Sequence, residues 1–183
     1  MRILGFLIGM ALLMVVRWTH LLWVCERARG GTPSSQQSLD DDWPASALGL
    51  LYGLALIAWL FRFWGPVRMS PLRGLVAISL MFVGILLRLA GQHALRSAFS
   101  WYWTPSSSLI TVGIYRWMKH PLLVGYFLEV TSLSVAAQLR SSVCGLLVGL
   151  TAVFIVAQAR GEEKRLQMHF NEQWRSFARG KWA

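Results

Sequence analysis

Five apolar runs, each near the length of a membrane-crossing helix, set what this chain has to accommodate. A helix needs about 20 residues to cross the hydrocarbon layer of a bilayer. The runs are Ile3 to Cys25, Ala45 to Trp64, Gly74 to Leu89, Pro121 to Leu139 and Val143 to Ala159. In hydrocarbon every backbone polar group needs an internal partner, so such runs imply helices. The expected fold is therefore all-α. It is a single polytopic membrane domain over residues 1–183, with about five transmembrane helices.

Composition agrees. Hydrophobic residues make up 55% of the chain and charged residues only 14%, against roughly 25% charged in soluble domains. A net charge of +10 raises nucleic acid as a partner. The basic residues, however, lie between apolar runs, which suits membrane lipids and topology control better, so no nucleic acid partner is expected. Ten Trp fit anchoring at the membrane interface. Oligomeric state is not legible.

The connections are informative. Arg17 and His20 interrupt the first run, which is long for the core of a signal peptide and lacks a small-x-small cleavage site. A retained helix is expected. Glu26 to Pro44 reads as a flexible loop, and Asp40-Asp41-Asp42 within it as solvated charge or a helix cap, not a metal site. No Cys/His cluster has zinc spacing. Gly65-Pro66 and Ser70-Pro71 make a tight turn, so the second and third runs should form a helical hairpin. Arg73 and Arg88 should snorkel from the ends of the short third run. Phe99, Trp101, Tyr102 and Trp103 suggest an interfacial segment. The turn Arg140 to Ser142 makes the fourth and fifth runs an antiparallel pair. From Leu166 onward, Leu166, Phe170, Trp174 and Phe177 give one apolar face, as in a C-terminal interfacial amphipathic helix.

Five crossings put alternate loops on opposite faces. The N-terminus, second loop and fourth loop carry five Lys and Arg residues; the first loop, third loop and C-terminal tail carry twelve. The positive-inside rule makes the second face cytoplasmic. It places Cys25 and Cys144 on opposite faces, so no disulfide is expected between them. It also brings the basic hinge Leu109 to Gly125 and the acidic segment Glu162-Glu163 to the same side. Glu129, mid-way along the fourth run, is an intramembrane carboxylate and so a functional candidate. Pairing with Arg17 or His20 is an equal structural explanation for it.

The chain has no Gly-x-Gly-x-x-Gly, no P-loop and no Gly-x-Ser-x-Gly. Instead, Leu109-Ile110-Thr111-Val112-Gly113-Ile114-Tyr115, then Lys119-His120-Pro121, then Gly125, resembles a signature of the isoprenylcysteine carboxyl methyltransferase and phospholipid methyltransferase superfamily. About forty residues on, Glu162-Glu163, Leu166, Phe170-Asn171, Trp174 and Phe177 are similar to that family's acidic and aromatic tail. The likeness covers about residues 87–179.

The resemblance implies S-adenosyl-L-methionine as cofactor at the cytosolic face and a lipophilic or small-molecule substrate reached from the bilayer. By position it implies cofactor contacts at Ser107, Ser108, Leu109, Ile110, Tyr115, His120, Pro121, Leu122, Leu123 and Glu162. Four departures stand out: Lys119 and Leu123 where the family has Arg and Tyr, Asn171 where it has Gly, and Gln158 where it often has a substrate-contacting Arg. The nearest arginine is Arg160. Glu129, Gln158 and Arg160 are the candidates for the substrate side, and a prenylcysteine carboxylate loses its obvious partner. The expected activity is methyl transfer in a membrane, with a prokaryotic plasma membrane as the expected location. A non-catalytic assembly or transport protein of this fold and a nicotinamide-dependent lipid reductase are the alternatives.

Overall fold

A computed structural model describes residues 15, 43–63, 70–95 and 109–179. Among the described residues the fold is all-α, with no strand. Helix α1 is Trp43–Phe63 and α2 is Pro71–Leu95. A single 3-10 turn, Gly113–Arg116, leads to α3, Pro121–Ala136, and α4, Ser141–Arg179. The expected first crossing, save Val15, and the aromatic segment Phe99 to Trp103 lie outside the described residues.

Local chemistry explains most helix ends. Pro71 occupies the first helical position of α2, where its missing N–H costs nothing. Ser70 caps that helix, its Oγ accepting from the Arg73 N–H at 3.3 Å. The helix therefore starts three residues before Gly74 and runs on to Leu95, well past the expected end at Leu89. Pro121 opens α3 in the same way. The expected end at Leu139 is not reached: Gln138 takes φ 52°, and the helix stops at Ala136. The Gln138 Oε1 then accepts from Arg62 Nη2 of α1 at 3.0 Å.

The largest departure from expectation is α4. The segment from Ala159 to Arg165 does not separate a crossing from an interfacial helix. It is helical throughout, and the break falls at Asn171, with φ 39° and ψ −105°. Apart from Gly161 the junction is made of Ala, Arg, Glu and Lys, strong helix formers that carry the helix through it. Asn tolerates positive φ better than other side-chain-bearing residues, which places the break at the position where the resembling family carries Gly.

Packing also differs from the expected hairpin. The extensive partner of α2 is α3, while α1 packs on α3 and α4. Glycine explains the choice. A Cβ added at Gly125 would lie 2.6 Å from the Gly84 carbonyl oxygen and 2.6 Å from Arg88 Cγ; one added at Gly84 would lie 2.8 Å from the Gly125 oxygen. The two backbones meet directly, as in small-residue crossings of membrane helices. Ser132 Oγ donates to the Ala77 carbonyl at 2.6 Å and fixes the register. The core around this crossing includes Trp59, Met81, Ile85, Val130 and Leu133.

The outside is apolar. Val143, Leu146, Leu150, Val153 and Val156 share one exposed face of α4, and Leu72, Leu75, Val76, Phe82, Val83 and Leu86 are exposed on α2. Both helices are long and apolar enough to cross a membrane. Helices α1 and α3 are apolar but shorter; the 16 residues of α3 rise about 24 Å.

Candidate functional site

The site starts from a helix beginning. His120 precedes Pro121 with φ −126° and ψ 58°, and its side chain makes no capping hydrogen bond to α3. The ring turns to α4 instead. Nδ1 lies 3.1 Å from Glu162 Oε2, and Nε2 lies 3.3 Å from Glu163 Oε1. Lys119 Nζ stands 3.6 Å from the same Glu163 oxygen. Gln158 Nε2, one turn earlier on α4, donates to Glu162 Oε1 at 3.2 Å. The polar cluster thus joins the start of α3 to the middle of α4.

A neutral imidazole donates from one nitrogen only, whereas the imidazolium donates from both. With a carboxylate at each nitrogen, the contacts favour the charged form. Burial acts the other way and lowers the His120 pKa, but the hydrogen bonds and charges of Glu162 and Glu163 outweigh it, and the net shift is upward.

Tyr115 lies half-buried in the 3-10 turn. Burial first, and then the negative charge of Glu162, raise its pKa. Its hydroxyl keeps its proton at neutral pH, as an ordinary tyrosine also does. Gly113 holds the turn in place: its φ is 61°, and a Cβ there would come 3.2 Å from the Ala94 Cβ. The turn sits against the end of α2. One turn of α2 earlier, a Cβ on Gly91 would meet Leu122 Cδ2 at 2.9 Å. The end of α2, the turn and the start of α3 accordingly lie together.

Of the residues expected at the cofactor, Ser107 and Ser108 lie outside the described residues. Leu109 and Ile110 are half-buried on the approach to the turn, Pro121 is buried, and Leu122 and Leu123 are half-buried. Tyr115, His120 and Glu162 come together as described. The substrate-side candidates have separate partners. Gln158 contacts Glu162, while Arg160 is exposed. Glu129 is fully buried between α2 and α3, 3.6 Å from Arg88 Nη1.

That pair corrects the expectation that Arg88 snorkels from a helix end. With α2 extended to Leu95, Arg88 falls two turns inside it, on the face that meets α3. It is 8% exposed, and its guanidinium also sits 5.4 Å from the centre of the Tyr126 ring. The proposed Glu129 partners Arg17 and His20 lie outside the described residues.

Sequence reading placed Glu163 in the acidic segment but gave the contact to Glu162 alone; Glu163 contacts both His120 and Lys119. Gln92 lies buried near the end of α2, and a lone Gln beyond an apolar run gives no signal at all. Among the described residues no group of His, Cys, Asp or Glu is placed to hold a metal ion.

Residues 72–173 match the family model described as phospholipid methyltransferase. The match covers more than half of the 183 residues and includes every contact of the His120 cluster. No curated protein and no solved structure matches the chain.

Proposed function

The chain belongs to the phospholipid methyltransferase family, a family of membrane methyltransferases, and from that premise we propose an S-adenosylmethionine-dependent enzyme whose cofactor site is the His120 cluster. The acceptor is a lipophilic or small molecule reached from the bilayer. The observation that carries the reading is the bridge from His120 to Glu162 and Glu163. It unites the two segments that the sequence alone marks as halves of one site.

The residues present fit the cofactor. Its amino acid end carries an ammonium and a carboxylate. Glu162 and Glu163 suit the ammonium. His120, Lys119 and the uncapped N–H groups of the first turn of α3 suit the carboxylate, with the helix dipole adding to the attraction. Tyr115 offers a protonated hydroxyl beside Glu162. When bound, the cofactor supplies a methyl group already activated by a sulfonium.

The chain's own work is then alignment and exclusion of water. The end of α2, the turn and Pro121 wall the site with apolar surface. Gln158, where the resembling family has an arginine, offers a neutral amide. This favours an amine or thiol acceptor over a carboxylate, which would be left without a guanidinium partner. A thiol attacks as its thiolate and an amine as its free base, so either acceptor must shed a proton before or during the transfer; only an acceptor that is already an anion needs no base. We place five crossings in the membrane, with the site at the cytoplasmic face, on the strength of the charge distribution.

The test is calorimetric titration of S-adenosylmethionine into detergent-purified protein. Wild type is expected to bind, and His120→Ala and Glu162→Ala to bind at least tenfold more weakly. Absence of binding by a folded wild type overturns the proposal.

A further inference from the structure

Gln92 is 4% exposed, and neither its Nε2 nor its Oε1 has a hydrogen-bond partner among the described residues. A buried amide left with nothing on either atom is destabilising, and native folds rarely keep one without a ligand or water to satisfy it. The position is specific. Its neighbour Gly91 packs on Pro121 and Leu122, and Ala94, two residues on, packs on Gly113. Gln92 therefore lies at the level where the turn and the start of α3 meet the end of α2. These are the elements that carry Tyr115 and His120. One turn further into the bundle, Arg88 lies 3.6 Å from Glu129 and over the Tyr126 ring, so those two groups have each other's charge to answer.

We propose that the Gln92 amide reads the edge of the adenine ring of the cofactor, an inference that rests on the cofactor reading above. A primary amide presents a donor and an acceptor side by side in one plane. Adenine presents the complement, an amino donor beside a ring-nitrogen acceptor, and glutamine pairs with it in bidentate fashion. Both partners are neutral, so pairing them in a buried place strands no charge. The charged end of the cofactor is accounted for by Glu162, Glu163 and His120. The ring is the part that still needs a polar contact, and among the described residues Gln92 offers a buried amide without a partner at that level.

The experiment compares S-adenosylhomocysteine with its N6,N6-dimethyl derivative, which has lost the amino donor. Both are titrated calorimetrically into wild type and Gln92→Leu, with Gln92→Met as a second variant should the first not fold. Wild type is expected to bind the dimethyl derivative about ten- to a hundredfold more weakly. Gln92→Leu is expected to bind the two alike, at the weaker level. It should also unfold without ligand at the same or a higher temperature, because the substitution removes an unpaired buried amide.

Equal binding of the two ligands by wild type overturns the inference and leaves the cofactor reading intact. So does discrimination that persists in Gln92→Leu or Gln92→Met, since the amino group is then read elsewhere. A folded wild type that binds neither ligand overturns both.

Discussion

At His120 one side chain ties two distant parts of the chain together, and its protonation sets the strength of the tie. Its pKa is raised from the ordinary 6.5, so the native state holds the proton more tightly than the unfolded chain does. The linked stability is fully present below the unfolded pKa and is lost as pH rises through the folded one. Thermal unfolding in detergent should therefore shift to lower temperature as pH rises above about 6.5, and His120→Gln should remove that slope. A slope that persists in the variant would assign it to another group. Of the site residues, Tyr115, His120 and Glu162 were legible because short motifs carried them. The burial of Gln92 was not legible, because nothing in its neighbours distinguishes an exposed glutamine from a buried one.

Among the elements, the crossing of α2 and α3 holds the site up. Both helices end or begin at the site, and Gly84 and Gly125 let them approach backbone to backbone. Gly125→Ala would put a methyl group 2.6 Å from a carbonyl oxygen, which cannot move aside as a flexible side chain can. It should destabilise the fold by about 1–3 kcal/mol. Gly149→Ala is the matched control, since nothing lies within 4 Å of a Cβ at that position; in the helix interior it should be neutral to stabilising, by up to about 1 kcal/mol. Equilibrium unfolding of the two variants in detergent checks the difference. The helix start at Pro121 was read from the sequence, since proline acts on its own residue; the start at Pro71 was not, because Ser70-Pro71 also suits a turn. The continuity of α4 from Ala159 to Arg165 could not be read as easily, because a polar junction resembles a loop until its helix propensity is weighed.

The whole molecule turns an apolar surface outward on both of its long helices. The site fixes which ends lie together, since the His120–Glu162 contact requires the start of α3 and the middle of α4 to be at the same level. The charge count then predicts the side. With Cys25 and Cys144 replaced, single cysteines at Arg116 and Lys164 should react with an impermeant reagent from the cytoplasmic face only. Cysteines at Ser70 and Arg140 should react from the opposite face. All four reacting from one side would overturn the five-crossing arrangement.

The sequence by itself determined the helical class, the start of α3 at Pro121 and the pairing of a basic hinge with an acidic segment. Each of these follows from short-range chemistry or from a count of apolar and charged residues along the chain. Only the tertiary structure decided that Arg88 is buried against Glu129, that α2 pairs with α3 instead of α1, and that the Gln92 amide is buried without a partner among the described residues. Those outcomes depend on which helix face meets which. The faces are chosen by close packing at two glycines 41 positions apart, a distance at which local sequence pattern carries no information about contact.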